Sequence, residues 1–114
     1  MKLPRLAVPA AAFVALVTAG VAPAAVRSTT VRVTAKDYSF TLSTKSVKHG
    51  KVTFMIKNSG HTAHDFSIAG HTSKRIEPGK STTLTVMLKK GRYPYSCTVD
   101  SHKALGMKGV VKVT

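Results

Sequence analysis

The chain contains a single cysteine, Cys97, so it can form no disulfide bond within itself. Small exported domains often use paired cysteines to stabilise their fold. An odd cysteine in an exported protein indicates one of three roles: a bridge to another chain, a reactive thiol, or a metal ligand. Cys97 is therefore the first candidate functional residue, provided that the chain is exported.

Acidic residues are also scarce, with four Asp and Glu against 18 Lys and Arg and a formal net charge of +14. Such a balance favours acidic proteins, anionic membrane surfaces or nucleic acid as partners. The basic residues are spread along the chain, and nucleic acid is the least useful partner of an exported protein, so no nucleic-acid partner is expected. The alternative is a basic, solvated surface without a dedicated partner.

Long apolar runs are absent except at the N-terminus, where residues 6–22 carry no charge and follow Lys2 and Arg5. The Ala22-Pro23-Ala24 tripeptide supplies the small residues that a signal peptidase requires, so a signal peptide over residues 1–24 is predicted. The alternative is an uncleaved membrane anchor, since 17 uncharged residues nearly span a bilayer. Pro9 and Gly20 weaken that alternative.

Cleavage after Ala24 leaves one modest domain, residues 25–114, with 16 basic and 4 acidic residues and a net charge of +12. This domain has no later apolar run of membrane length, so we expect a soluble protein in the periplasm, at the cell surface or outside the cell. A monomer is expected, with possible peripheral contact with an anionic membrane.

No stretch keeps a helical period for three turns, and the sequence alternates instead between apolar and polar residues, as half-buried strands do. Gly, Pro and Asn turns separate the alternating runs. The pattern predicts an all-β fold, a two-sheet Greek-key β-sandwich. Pro94 lies inside one predicted strand, which should therefore be an edge strand or carry a bulge. The in-phase sets are Val31, Val33 and Ala35; Val52, Phe54 and Ile56; Phe66 and Ile68; Leu84, Val86 and Leu88; Tyr93, Tyr95 and Cys97; Val111 and Val113.

The segment that carries chemistry places a thiol, an imidazole and a thioether in one loop, at Cys97, His102 and Met107. Four residues separate each from the next, a spacing that lets a loop fold back and bring the three side chains together. Sulfur ligands suit reduced copper, imidazole suits both oxidation states, and a weak axial Met leaves the geometry between the two preferences. The loop is thus a candidate copper site.

A second imidazole is needed, and His64 is in phase with Phe66 and Ile68, which places its side chain toward the core. The remaining histidines, at positions 49, 61 and 71, stand beside glycines in turns and are read as ordinary surface residues. Each ligand also has an ordinary alternative, because free Cys behaves as a small buried hydrophobe and Met as a gap filler. Their joint occurrence at a strand end and its following loop favours the metal site.

These features resemble the cupredoxins, the blue-copper family, over nearly all of residues 25–114. The resemblance rests on the turn at residues 58–60 leading to His64, on Glu77-Pro78-Gly79, and on the Tyr-x-Tyr-x-Cys97-x4-His102-x4-Met107 block. The four-and-four spacing is closer to rusticyanin- and sulfocyanin-like members than to plastocyanin. The resemblance implies one mononuclear type 1 copper ion, with His64, Cys97 and His102 as strong equatorial ligands and Met107 as the weak axial one.

The sequence departs from the family pattern beside two of these ligands. Many relatives have Asn directly after the first His, where its side chain ties the two ligand loops together, whereas this chain has Asp65. Asp65 can still accept hydrogen bonds, with Thr98 as the expected donor, but its charge favours the oxidised metal. Asp100-Ser101 stands where many relatives have Pro-Gly, which changes the surroundings of His102.

The leading functional prediction is one-electron transfer between Cu(II) and Cu(I), with redox partner proteins that carry acidic docking surfaces. Electrons are expected to pass through the edge of His102, beside an apolar patch at residues 104–106 rimmed by Lys103 and Lys108. The alternative is copper storage or delivery by an exported protein. No enzyme is predicted, because the chain lacks an oxyanion-hole segment, the His-x-His pairs of multicopper oxidases and a second Cys for a binuclear site. A structural zinc site is disfavoured because zinc has no use for Met.

Overall fold

Residues 28–114 are described by the computed structural model, and strands with short loops make up this part of the chain. The predicted signal peptide over residues 1–24 lies outside the described residues and stays a prediction. Within residues 28–114, no helix is long and apolar enough to cross a membrane. The strands are β1 (Ser28–Lys36), β2 (Ser39–Leu42), β3 (Ser46–Val47), β4 (Gly50–Asn58), β5 (Ser67–Ile68), β6 (His71–Thr72), β7 (Ser81–Leu88), β8 (Gly91–Ser96) and β9 (Lys108–Val113).

The strands form two sheets, one in the order β2-β1-β4-β7 and the other in the order β3-β9-β8-β5-β6. β1 runs parallel to β4, and β3 runs parallel to β9, while the remaining pairs are antiparallel. The chain crosses from one sheet to the other after β2, β3, β4, β6 and β7. The predicted all-β, two-sheet sandwich is confirmed.

The core consists of the apolar residues that the two-residue alternation selects. Val31, Val33 and Ala35 of β1 are buried, and so are Val111 and Val113 of β9. Polar neighbours on the same strands face solvent, so one face of each sheet is solvated and the other packs against the core. The position of a residue in the two-residue alternation therefore predicts whether it is buried along these strands, although Leu84 and Tyr93 are only partly buried.

The prediction that Pro94 marks an edge or bulged strand is wrong for the strand as a whole. β8 lies between β9 and β5, and Pro94 pairs in regular register with Val110 of β9. β5, however, is only two residues long and reaches no further along β8 than Tyr95 and Ser96. Pro94 therefore has a strand neighbour on one side only, where a missing N–H is tolerated.

Gly109 of β9 allows the closest packing in the second sheet and gives a stability prediction. A Cβ at this position would overlap the ring and hydroxyl of Tyr95, a buried residue that stacks on Phe66 with ring centroids 5.3 Å apart. Gly109→Ala should therefore lower the free energy of unfolding by about 1–3 kcal/mol, the usual cost of overpacking. Denaturant unfolding followed by circular dichroism measures this change. Gly79→Ala is the comparison for backbone strain alone, because nothing lies within 4 Å of its added Cβ.

Candidate metal site

The site lies at one end of the sandwich, where two loops meet. The first loop joins β4 to β5 and carries His64, whose backbone pairs with Ile76 through N–H···O bonds of 3.1 and 2.7 Å. Asn58, fully buried at the end of β4, holds this loop: its Nδ2 donates to the carbonyls of Thr62 and Ile76, both at 2.8 Å, and its Oδ1 accepts from the Gly60 N–H. The second loop joins β8 to β9 and carries Cys97, His102 and Met107.

Three of the four predicted ligands converge. His64 Nδ1 and His102 Nδ1 lie 3.1 Å apart, and Cys97 Sγ lies 3.9 Å from the former and 3.7 Å from the latter. All three residues are buried, and their ligand atoms lie within 4.8 Å of one another. The same ring nitrogen of both histidines thus points at the thiol.

Met107, the fourth predicted ligand, is fully buried in the core and lies at the end of the loop that carries Cys97 and His102. The Cys97 N–H donates to the Met107 carbonyl at 3.1 Å, and the Met107 N–H donates to the His102 carbonyl at 3.1 Å. Its backbone therefore connects to those of both ligands in its loop. Met55 and Met87 lie on the surface, with 48% and 65% exposure. His49, His61 and His71 are exposed as well, away from the three converging ligand atoms.

Asp65 ties the two loops together, as predicted. Its Oδ1 accepts the Thr98 N–H at 2.6 Å, and its Oδ2 accepts a short hydrogen bond from the Thr98 hydroxyl. The Asp65 N–H in turn points at Cys97 Sγ over 3.5 Å. The carboxylate is 7% exposed, so these hydrogen bonds replace most of the water it would otherwise contact.

Asp37 is a further site residue that the sequence did not reveal. It follows β1, and its Oδ1 lies 2.7 Å from His64 Nε2 on the side of the ring away from Cys97. The backbone N–H of His61 is the largest cause that lowers the pKa of Asp37 to about 2, with further hydrogen bonds from His64 and Thr62. The residue is therefore a carboxylate at neutral pH. The chain offers no local pattern that relates positions 37 and 64, because the contact arises from the parallel pairing of β1 with β4.

Tyr38, the next residue, covers His102. The two ring centroids are 4.8 Å apart, and Tyr38 also meets His64 edge-on at 6.2 Å. His102 is only 6% exposed, whereas Tyr38 is 37% exposed. The expected exposure of the His102 edge is therefore not found, because Tyr38 stands between much of this ring and solvent. The neighbouring residues 104–106 are exposed, as expected.

Burial raises the pKa of the Cys97 thiol above its usual range. Burial therefore favours the protonated thiol, whereas a bound metal ion would favour the thiolate. Two imidazoles, one cysteine sulfur and one thioether are the donor types of a mononuclear copper site, and they do not suit Ca²⁺ or Mg²⁺, which take oxygen ligands. The residues present therefore fit one type 1 copper ion.

Comparison with known proteins agrees with this geometry. The model of the cupredoxin-like domain family matches residues 8–111. A comparison with curated proteins found no match. The match covers both loops and every predicted ligand, and it extends from within the predicted signal peptide nearly to the last residue.

Solved structures share the fold at low sequence identity. Reduced auracyanin from Roseiflexus castenholzii is 20% identical, with 79% of this chain and 99% of that chain covered and a TM-score of 0.65. Auracyanin A, a blue copper protein from Chloroflexus aurantiacus, is 17% identical, with 77% and 100% covered and a TM-score of 0.65. A blue copper oxidase from Nitrosomonas europaea is 16% identical with a TM-score of 0.61, and the match covers 76% of this chain but 39% of that one.

Proposed function

The chain belongs to the cupredoxin-like domain family, and we propose that it is an exported electron carrier that cycles one copper ion between Cu(II) and Cu(I). The observation that carries the proposal is the convergence of His64, Cys97 and His102 in a buried site. Auracyanin A, which shares the fold, is a blue copper protein, and this supports the same class of site here.

We assign His64 Nδ1, His102 Nδ1 and Cys97 Sγ as the atoms that would hold the copper ion strongly, and Met107 as the residue that would supply a weaker sulfur ligand. Bound copper supplies a one-electron couple; the protein's part is to hold the donors in one arrangement that both oxidation states accept. The hydrogen bonds of Asn58 and Asp65 fix the loops that carry these donors. Burial of the donors keeps water from the thiolate, so that little rearrangement accompanies gain or loss of an electron.

The partner surface is proposed to surround the exposed edge of Tyr38 together with Leu105, which is 58% exposed. Tyr38 contacts His102, so a partner on this surface approaches the site through one aromatic ring. Lys103 and Lys108 are exposed beside it and would attract acidic groups on a redox partner. A wider role of the +12 charge of residues 25–114 in contact with an anionic membrane belongs to the same proposal.

Copper storage or delivery is the alternative function. It uses the same types of donor, but a carrier must release the ion readily, and the burial of His64, Cys97 and His102 works against release. Copper retention during dialysis against a moderate chelator, with reversible electrochemistry, supports electron transfer. Rapid transfer of copper to an apo acceptor protein would instead support delivery.

The visible absorption spectrum of the purified protein with Cu(II) added tests the proposal most directly. An intense charge-transfer band is expected, because it requires a bond between Cu(II) and a cysteine thiolate. Titration should saturate at one copper ion per chain. A protein that binds copper without this band would contradict the electron-transfer assignment and favour storage.

Replacing Met107 by Leu tests the axial ligand. The visible band should persist, because the thiolate is untouched, while the reduction potential should shift as the thioether donor is lost, by about 59 mV for every tenfold change in the ratio of Cu(I) to Cu(II) affinity. Cyclic voltammetry of the copper-loaded variants measures the shift. Met55→Leu is the matched control, since Met55 is half exposed on β4 and should leave the potential unchanged. Equal potentials for the two variants would remove Met107 from the ligand set.

A further inference from the structure

Asp37 makes a second-layer contact with the site that the proposed ligand set does not include. Its Oδ1 lies 2.7 Å from His64 Nε2, while the opposite nitrogen of the ring, Nδ1, faces Cys97 and His102. His64 has no exposed surface, and the Asp37 side chain is 19% exposed. One imidazole thus connects a carboxylate on one side to the candidate metal position on the other.

The carboxylate is held in place by the loop that carries His64. Oδ2 accepts the backbone N–H of His61 at 2.8 Å, and Oδ1 accepts the hydroxyl of Thr62 at 2.9 Å and, more weakly, its N–H at 3.4 Å. Gly60 fits closely against this arrangement, because a Cβ there would overlap Asp37 Oδ1 and approach His64 Nε2 to 3.0 Å. The contact between Asp37 and His64 is therefore built into the loop.

A carboxylate only accepts hydrogen bonds, so its contact with Nε2 places the imidazole proton on that nitrogen. The lone pair of a neutral His64 is then on Nδ1, where a metal ion can use it. Second-layer carboxylates of this kind fix the ring orientation of a ligating histidine and raise its basicity. The negative charge also favours the more highly charged state of a nearby ion.

We propose that Asp37 is a positioning residue of the metal centre: its carboxylate holds His64 in the tautomer protonated at Nε2, directs Nδ1 toward the metal and strengthens the binding of Cu(II). The tautomer is a property of the metal-free protein and stands independently of the proposed function. The effect on copper rests on that function.

The simpler alternative is that Asp37 only closes the loop by accepting the N–H of His61 and the hydroxyl of Thr62. The two roles differ in what a variant changes. A loop closure affects stability, whereas a positioning role affects the tautomer of one histidine and the affinity for Cu(II). Thr62→Val removes the hydroxyl that donates to Asp37 Oδ1 at 2.9 Å and that lies 3.5 Å from His64 Nε2. It keeps the carboxylate, whose contact with Nε2 is shorter at 2.7 Å, and so separates the carboxylate from the loop bond.

The first test uses metal-free, ¹⁵N-labelled protein at a pH where imidazole is neutral. Long-range ¹H–¹⁵N correlation spectra should show His64 as a single tautomer protonated at Nε2 in the wild type and in Thr62→Val. In Asp37→Ala, a mixture of tautomers is expected. A wild-type His64 protonated at Nδ1 would overturn the proposal without any variant, so the test holds even if Asp37→Ala fails to fold.

The second test measures the dissociation constant for Cu(II) by competition with a chelator. Asp37→Ala should weaken binding about 10- to 100-fold, the usual effect of losing a second-layer partner. Asp37→Asn, which keeps an acceptor without the charge, should fall between Asp37→Ala and the wild type. Binding by Asp37→Ala within threefold of the wild type would overturn the effect on copper.

Glu77→Gln is the matched control for loss of a negative charge. Glu77 is an exposed residue whose side chain is 65% accessible, and its ion pair with Arg75, at 3.6 Å, lies on the surface. The affinity of this variant for Cu(II) should stay within twofold of the wild type. An effect as large as that of Asp37→Ala would show that Asp37 acts only through its negative charge and not through its contact with His64. Failure of every variant and the wild type to bind copper would refute the proposed function, while the tautomer result would still decide the role of Asp37.

Discussion

Cys97→Ser is expected to abolish the intense visible absorption of the copper-loaded protein. The band requires a sulfur-to-copper charge transfer, and Cys97 is the only cysteine in the chain, so no other residue can supply a thiolate. A serine hydroxyl keeps its proton at neutral pH and is a poor ligand for copper. The measurement is the visible spectrum after addition of one equivalent of Cu(II). Only weak bands from histidine-bound copper are expected to remain.

The fold should survive this change, which makes the spectral result interpretable. Ser differs from Cys by one atom, and its oxygen can still accept the Asp65 N–H that points at Cys97 Sγ. Burial of a hydroxyl in this 1% exposed position should cost about 1–2 kcal/mol. Far-ultraviolet circular dichroism of the variant checks the fold.

His71→Ala is the matched control for Cys97→Ser, because it removes an exposed imidazole of β6 that is not among the proposed ligands. It should keep the full band. A Cys97→Ser variant that retained strong visible absorption would refute a copper–thiolate bond at this site, whatever its affinity for copper.

The sequence was sufficient to predict the sandwich because its strands are half buried. Val31 and Val33, or Val111 and Val113, alternate with exposed neighbours, so a two-residue period specifies which side chains enter the core. The same reasoning selected His64 over His61, since only the former is in phase with Phe66, and the structure buries His64 beside Cys97 and His102 while His61 is exposed. The alternation stops around His64, however. Ala63 and Asp65 are also buried, because these residues lie in a loop and not in a strand.

The surroundings of the ligands were less predictable, because they depend on contacts between distant segments. Asp37 and Tyr38 reach the site from the end of β1, which is placed beside β4 by parallel pairing. Neither residue belongs to a local pattern that includes His64 or His102. The link between Asp65 and Thr98 could be predicted only because each residue directly follows a ligand, at His64 and Cys97, and the resemblance brought those ligands together.

Asp65→Ala should have the largest effect on stability among the changes considered, a loss of about 2–4 kcal/mol in the free energy of unfolding of the metal-free protein. The carboxylate accepts two hydrogen bonds from Thr98, and bonds to a charged group contribute about 1.5–3 kcal/mol each before the costs of burial. Its loss leaves the Thr98 N–H without this partner and the two ligand loops without their tie. Thermal unfolding should show a midpoint lower by roughly 8–25 °C for a domain of this size.

Asp65→Asn separates the hydrogen bonds from the charge. Its amide oxygen can still accept one bond from Thr98, so about half of the stability loss should be recovered. The charge near the site is gone, which disfavours Cu(II), and the reduction potential should rise, by about 59 mV for every 1.4 kcal/mol of lost charge–charge attraction.

Thr98→Val supplies the matched control, because it removes the hydroxyl donor and leaves both the Thr98 N–H and the Asp65 charge in place. It should cost about 1 kcal/mol and leave the potential nearly unchanged. Since Asp65 and Thr98 each adjoin a proposed ligand, a stability loss without a change in potential would mean that the pair holds the loops but does not tune the copper. An unchanged stability in Asp65→Ala would show that the bonds between Asp65 and Thr98 do not hold the two loops together.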